Sequence, residues 1–295
     1  MICTRLEGGL GNTMFQYALG RHLSLKNKTD LKFEISSCWV NPLGDYSLSM
    51  EAFNIEIKKN ILPEKDLKRF RRYVHKPGKK WFIHNMLFSN KEKYIKEKHY
   101  YFDPLVLEKK DDTFLHGWWQ SDKYFKNIRT VILNDFTVKT PEPRNVDITQ
   151  KIISSTGSIA LHIRRLDYVK NPETHKWFGE LTYNYYKQGL EYITEMVKKP
   201  TLFVFSDDIM WVKDNMSFPF ETIYVSGNIN SPHEDIRLMS LCKHQIIANS
   251  SFSWWGAWLN NNPKKIVIAP KQWFANAPKN KEHDLIPKEW IRIEN

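Results

Sequence analysis

From residue 158 to residue 269 the chain alternates short apolar, β-branched runs with longer stretches of helical spacing, and this alternation narrows the fold more than any other feature. The runs occupy residues 158–163, 201–205, 222–225, 245–248 and 266–269; the helical stretches lie near residues 183–198, 209–215, 232–243 and 252–261. Strands that are apolar on both faces need cover on both faces, and parallel neighbours need a crossover helix. The order therefore predicts a parallel, doubly wound α/β sheet.

Ligands of such sheets settle beyond the carboxyl ends of the strands, and three strand ends here carry polar chemistry. The first run ends in His162, Arg164, Arg165 and Asp167. A guanidinium is permanently charged and forks onto two oxygens, so two adjacent arginines suggest a diphosphate. A solvated basic turn with His162 as a core histidine is the alternative. The run 201–205 is followed by Ser206, Asp207 and Asp208. A carboxylate there suits the ring N–H and exocyclic amine of guanine, while one of the two aspartates is expected to cap the next helix. Asn249, Ser250, Ser251 and Phe252 follow the run 245–248 just before a helix. That is the arrangement of an anion site at a helix N-terminus, or of an ordinary serine cap.

In the N-terminal half, residues 2–6 read as a strand, residues 7–12 (Glu-Gly-Gly-Leu-Gly-Asn) as a glycine-rich turn, and residues 13–26 as a helix. This resembles the opening of a dinucleotide-binding unit, with Glu34 standing for the ribose-binding acid, although Met14 sits where a third glycine belongs. An NAD(P)-dependent oxidoreductase is thus one alternative. Residues 114–121 read as a strand ending in Trp118, Trp119 and Gln120, which suit either a sugar face and its hydroxyls or, for the tryptophans, the core. A helix is expected at about residues 123–133. Pro141-Glu-Pro143 reads as a linker, giving domains 1–143 and 144–295.

The net charge of +11 calls for an anionic partner: nucleic acid, a membrane surface or a phosphorylated substrate. Residues 58–98 hold 14 Lys/Arg against 4 Asp/Glu but show no nucleic-acid recognition pattern. They read as a solvated helical face or, around residues 81–88, as peripheral contact with an anionic membrane carrying a lipid-linked substrate. A non-catalytic polyanion binder is a further alternative. No run approaches the roughly 20 apolar residues of a membrane span, and the N-terminus lacks a signal-peptide core. A cytoplasmic protein is expected, with the inner membrane face as its place of any peripheral contact. Cys3, Cys38 and Cys242 lack the spacing of a disulfide framework or a zinc site.

Taken together, Gly8-Gly-Leu-Gly-Asn-Thr-Met-Phe-Gln-Tyr-Ala18, Gly117-Trp-Trp-Gln-Ser121, His162-Ile-Arg-Arg-Leu-Asp-Tyr168, Phe205-Ser-Asp-Asp208 and Asn249-Ser-Ser-Phe-Ser-Trp-Trp-Gly-Ala257 resemble the α-1,2-fucosyltransferase family, glycosyltransferase family 11. The resemblance implies a GT-B-like fold with two Rossmann-like domains facing a cleft, the N-terminal one on the acceptor side and the C-terminal one holding the GDP-sugar. It implies inverting, metal-independent transfer of L-fucose from GDP-β-L-fucose to the 2-hydroxyl of an acceptor sugar, with no further cofactor. The acceptor would be an oligosaccharide, such as a β-galactoside in a surface polysaccharide; a related GDP-linked deoxysugar is the alternative donor.

On the same resemblance, Arg164 holds the β-phosphate, His162 lies beside the guanine, and the motif carboxylate falls on Asp207 or Asp208. Asn249, Ser250, Ser251 and Phe252 form the donor turn, Arg165 assists with charge, and Gly11 and Asn12 reach the phosphates from the other domain. By its position after the arginines, Asp167 is the expected general base, with Glu173 as the alternative; a salt-bridge brace for an arginine is the other reading of Asp167. Two positions depart from the family pattern: Leu166 replaces a glycine and Thr13 a glutamine.

Overall fold

Two parallel sheets organise the chain, one in each of two compact units, Met1–Phe136 and Thr137–Asn295. The computed structural model describes residues 1–36, 49–63, 65–66, 70, 93–276 and 284–295. The aromatic and basic patch at residues 81–88 and Cys38 lie outside the described residues, and of Asp167 only the backbone is described.

In the first unit, β1 (Ile2–Arg5), β2 (Leu31–Glu34), β3 (Tyr94–Lys96) and β4 (Thr113–His116) form a sheet of order β2-β1-β4-β3 with every pairing parallel. Helix α1 (Leu10–Asn27) covers it with Met14, Phe15, Ala18, Leu19 and Leu23, all buried. The helix starts earlier than its apolar spacing suggests, so Gly11 and Asn12 form its first turn instead of preceding it. Gly8 takes φ +81, a left-handed conformation open to glycine at little cost, and so lets the chain leave β1 and enter the helix at once. Thr13, one of the two family departures, is buried and turns its hydroxyl back to the Leu10 carbonyl at 2.8 Å.

The helix expected at residues 123–133 is two 3-10 turns, Asp122–Tyr124 and Lys126–Ile128, followed by α2 (Arg129–Asp135). Tyr124 and Phe125 are both buried, and Phe125 packs on Phe15 with ring centres 5.9 Å apart. Tertiary packing of two large rings thus outweighs weak local propensity. Asp135 at the end of α2 accepts from Tyr17 at 2.8 Å and Arg21 at 2.9 Å, which fastens α2 to α1.

The second unit carries α3 (Val146–Ser154), β5 (Gly157–Ile163), α4 (Leu166–Lys170), α5 (Pro172–Phe178) and α6 (Tyr183–Met196). After them come β6 (Pro200–Ser206), α7 (Ile209–Asn215), β7 (Glu221–Val225), α8 (Pro232–Leu241), β8 (His244–Ile246), α9 (Ser251–Leu259), β9 (Val267–Pro270) and β10 (Ile291–Ile293). The sheet order is β7-β6-β5-β8-β9-β10, all parallel. Read from β5, this is the doubly wound order of dinucleotide-binding sheets, with the direction of winding reversing between β5 and β8.

Every residue of β5 is buried. Ile159, Leu161, Leu202, Val204, Ile246 and Ile268 pack against Tyr185, Tyr186, Leu190 and Ile193 of α6, each such side chain contributing about 1.5–3 kcal/mol by leaving water. The division between units falls after Phe136, so Pro141-Glu-Pro143 lies inside the second unit. Pro143 there opens the 3-10 turn Pro143–Asn145 that leads into α3.

Candidate active site

The carboxyl ends of β5, β6 and β8 are neighbours because the strands are, and they bring His162, Arg164, Asp207, Ser250, Ser251 and Phe252 to one edge at the switch point. Arg164 leaves β5 with its Nε 3.2 Å from Asp207 Oδ2, and its guanidinium carbon lies 5.9 Å from the ring of Tyr168. Asp207 also accepts the backbone N–H groups of Arg165 at 2.9 Å and Leu166 at 3.1 Å. One carboxylate therefore ties the turn after β5 to the end of β6 and fixes the direction of Arg164. Leu166, the other family departure, takes part through its backbone and opens α4.

His162 is buried, and its Nδ1 has no hydrogen-bond partner. Its ring lies 5.7 Å from that of Phe252, tilted by 40°. Burial first, and the charge of Arg164 second, press its pKa down to about 3, so the imidazole is neutral at physiological pH and offers an uncharged polar edge. Ser250 caps α9 by accepting the Phe252 N–H at 3.3 Å, leaving Ser251 to open the helix at its positive end.

The structure gives other expected site residues different employment. Asp208 is the capping aspartate, accepting the Trp211 N–H at 3.3 Å. Arg165 stacks on the Trp211 ring at 3.5 Å and pairs with Glu180, which turns its charge toward the protein. Asn249 is 1% exposed and donates to the carbonyls of Phe178 at 2.8 Å and Trp273 at 3.2 Å. It is a bracket beneath the turn, and its own carbonyl accepts from the Tyr168 hydroxyl at 2.8 Å. Glu173 lies in the first turn of α5 and Asp167 within α4. Among the described residues, no cluster of three or more His, Cys, Asp or Glu is placed to hold a metal ion.

The supports of this edge are residues whose role is not legible in the sequence. Tyr186 is buried on α6 with its hydroxyl at the Arg164 backbone, and burial together with Asp207 and Glu180 pushes its pKa up. Tyr168 and Trp211 likewise support Arg164 and Arg165. Only Tyr168 stands near the arginines in the sequence; Tyr186 and Trp211 come from later segments, and nothing local separates them from core filler.

In the first unit, Asn12 Oδ1 accepts from Gln120 at 2.8 Å, so Gln120 is engaged inside the unit. Trp119 is core: 1% exposed, with φ +55 and its ring edge-on to Tyr124. Glu97, which sequence analysis counted only within the basic run, accepts the N–H groups of Trp118 at 2.6 Å and Trp119 at 3.1 Å. Burial raises its pKa from 4.5 to about 7 against the pull of those two bonds.

A carboxyl raised in the folded state favours folding while protonated, and that contribution is lost as pH rises. Glu97 should accordingly withdraw on the order of 3 kcal/mol of stability between pH 4.5 and 7. Denaturant midpoints taken across that window should fall more steeply for the wild type than for Glu97→Gln. Equal slopes would contradict the assignment.

A basic switch point beside a capped helix N-terminus, on a sheet of this order, is the architecture of doubly wound α/β proteins, whose ligands bind at such a point. The particular family follows from sequence: the chain belongs to glycosyl transferase family 11, whose pattern matches residues 1–294, and it is a glycosyltransferase with a GT-B-like fold. Over 302 residues it is 34% identical to an α-1,2-colitosyltransferase of Escherichia coli, covering 100% of this chain and 99% of that one. It is 32% identical to the O-antigen biosynthesis glycosyltransferase WbnK of Escherichia coli, covering 98% and 99%. Among solved structures, the α-1,6-fucosyltransferase NodZ soaked with GDP-fucose superposes with a TM-score of 0.52 at 14% identity, covering 90% of this chain and 94% of that one. At that identity the likeness speaks for the fold alone. Family membership replaces the oxidoreductase and polyanion-binder alternatives. No helix among the described residues is long and apolar enough to cross a membrane.

Proposed function

We propose that the chain transfers L-fucose, or a closely related deoxysugar, from its GDP-β-linked donor to the 2-hydroxyl of a sugar in a bacterial surface polysaccharide, with inversion and without a metal ion. The observation that carries this reading is Arg164, held by Asp207 at the switch point beside the N-terminus of α9. Breaking a sugar–phosphate bond builds negative charge on the diphosphate and positive charge on an oxocarbenium-like ring. A fixed guanidinium and a helix N-terminus stabilise the first of these without reorganising. The neutral edge of His162 and the ring of Phe252 suit the nucleoside end of the donor.

The α-1,2-colitosyltransferase, matched over its whole length, supports an α-1,2 linkage, and beside the fucose of the family resemblance it leaves two donors in play. Colitose is fucose without its 3-hydroxyl, so the two differ at one position. A panel of GDP-fucose, GDP-colitose, GDP-mannose and UDP-galactose with β-galactoside acceptors, analysed by mass and linkage, decides between them. A GDP-deoxysugar should be used, its residue should appear on the 2-hydroxyl, and chelator should leave turnover intact. Transfer from UDP-galactose, or loss of turnover with chelator, would overturn the reading.

Inversion in one displacement needs a base at the acceptor hydroxyl, and Asp167, on α4 three residues after Arg164, is our candidate ahead of Glu173. Asp167→Asn should bind GDP as the wild type does yet lose at least about 100-fold in kcat. Loss of GDP binding as well would make Asp167 a brace for the arginines instead.

A further inference from the structure

A pocket opens at the carboxyl edge of the first sheet, walled by Glu7, Glu97, Tyr100, His116 and Trp118. It lies where β1 and β4 run side by side with β2 beyond one and β3 beyond the other, the kind of position at which open α/β sheets take ligands. The mechanism above makes no use of it.

Its polar wall is held rigidly. His116 at the end of β4 meets the Tyr94 hydroxyl through Nδ1, and its Nε2 lies 3.6 Å from Glu7 and 3.4 Å from Arg5. Arg5 is itself fixed by Glu34 at 2.7 Å. The opposite wall depends on Glu97, which grips the backbone of Trp118 and Trp119. That grip requires Gly117, since a Cβ there would stand 2.3 Å from the Glu97 Cβ. Trp118 is thereby set at the pocket wall while Trp119 is sent into the core.

The chemistry of these walls selects a class of ligand. Glu7, held beside the His116 imidazole, supplies acceptors for hydroxyl groups, and an indole face suits the C–H face of a sugar ring. The Glu7 carboxylate on the wall disfavours a phosphate or an acidic sugar beside it, while Lys96 and Lys98 also line the pocket. We propose that this pocket binds a neutral pyranose through Glu7, His116 and Trp118. Where the chain is the α-1,2-transferase proposed above, on which this last step rests, that pyranose is the acceptor sugar.

The test uses the full chain and methyl β-D-galactopyranoside, with saturation-transfer NMR for the sugar and the melting shift with GDP read in parallel. The wild type should saturate the sugar, while Trp118→Ala and Glu7→Gln should each weaken its binding at least tenfold and keep the GDP shift. Sugar binding equal to wild type in both variants overturns the proposal, as does a wild type that responds to GDP and never to the sugar; the transferase reading survives either result. Sugar binding lost in the variants, with no GDP response in the wild type, supports the pocket and removes the transferase reading. If Trp118→Ala does not fold, Trp118→Phe, which keeps a smaller ring, and Glu7→Gln decide the matter.

Discussion

Arg164→Ala should lower kcat for glycosyl transfer at least about 100-fold with acceptor saturating, the scale of removing one preorganised donor from a developing charge. The expectation follows from position. Arg164 leaves the central strand β5, which is buried along its whole length, at the point where the sheet changes winding direction. Its Nε is held at 3.2 Å by Asp207 and its backbone is met by the buried Tyr186, so its charge is aimed before substrate arrives. Arg164→Lys keeps a positive charge but loses both the planar fork and the Nε contact, and should recover only part of the rate. The fold should survive either change, because the side chain is at the sheet edge and not in the core. A kcat near wild type in the alanine variant would remove Arg164 from the chemistry and with it the proposed charge stabilisation.

What could be read in advance divides along physical lines. Strands β5, β6 and β7 and helix α7 were legible because each is a complete apolar or periodic run bounded by polar residues. Strands β3 and β10 have three residues each, Tyr-Ile-Lys and Ile-Arg-Ile, too few to display a period of two. The start of α1 is hard to place from sequence because glycine weakens any helix reading, although Gly9 at the N-cap and Gly11 in the first turn cost little.

Within the site, the sequence shows which residues cluster at strand ends but not which way each side chain turns. Asp207 and Asp208 are chemically identical neighbours, and only the geometry makes one a stitch between strands and the other a cap. Arg164 and Arg165 are likewise equivalent on paper, yet Trp211 and Glu180, brought in from distant segments, draw Arg165 inward. Trp118 and Trp119 part company through one left-handed residue. Glu97 was hidden because its neighbours Lys96 and Lys98 made it look like one more charge on a solvated face.

Asp207→Ala provides the sharpest test of the division of labour at the site. It removes the acceptor of two backbone N–H groups and of the Arg164 Nε at once. The turn after β5 is near enough to solvent for water to replace part of this, so the expected destabilisation is about 2 kcal/mol by denaturant unfolding. Arg164, freed from its brace, should no longer hold one direction, and kcat should fall at least about tenfold alongside the stability. Asparagine should rescue each quantity only in part, because its carbonyl keeps one acceptor while its NH2 points a donor at groups that are themselves donors. The alternative role, in which Asp207 reads the guanine edge, makes an opposite forecast. The variant would keep its stability and its rate with saturating donor while losing preference for GDP over UDP or ADP. Measuring unfolding midpoint, kcat and nucleotide preference on one preparation separates the two, and a stable, active variant that has lost base preference would show that the carboxylate serves recognition and not support.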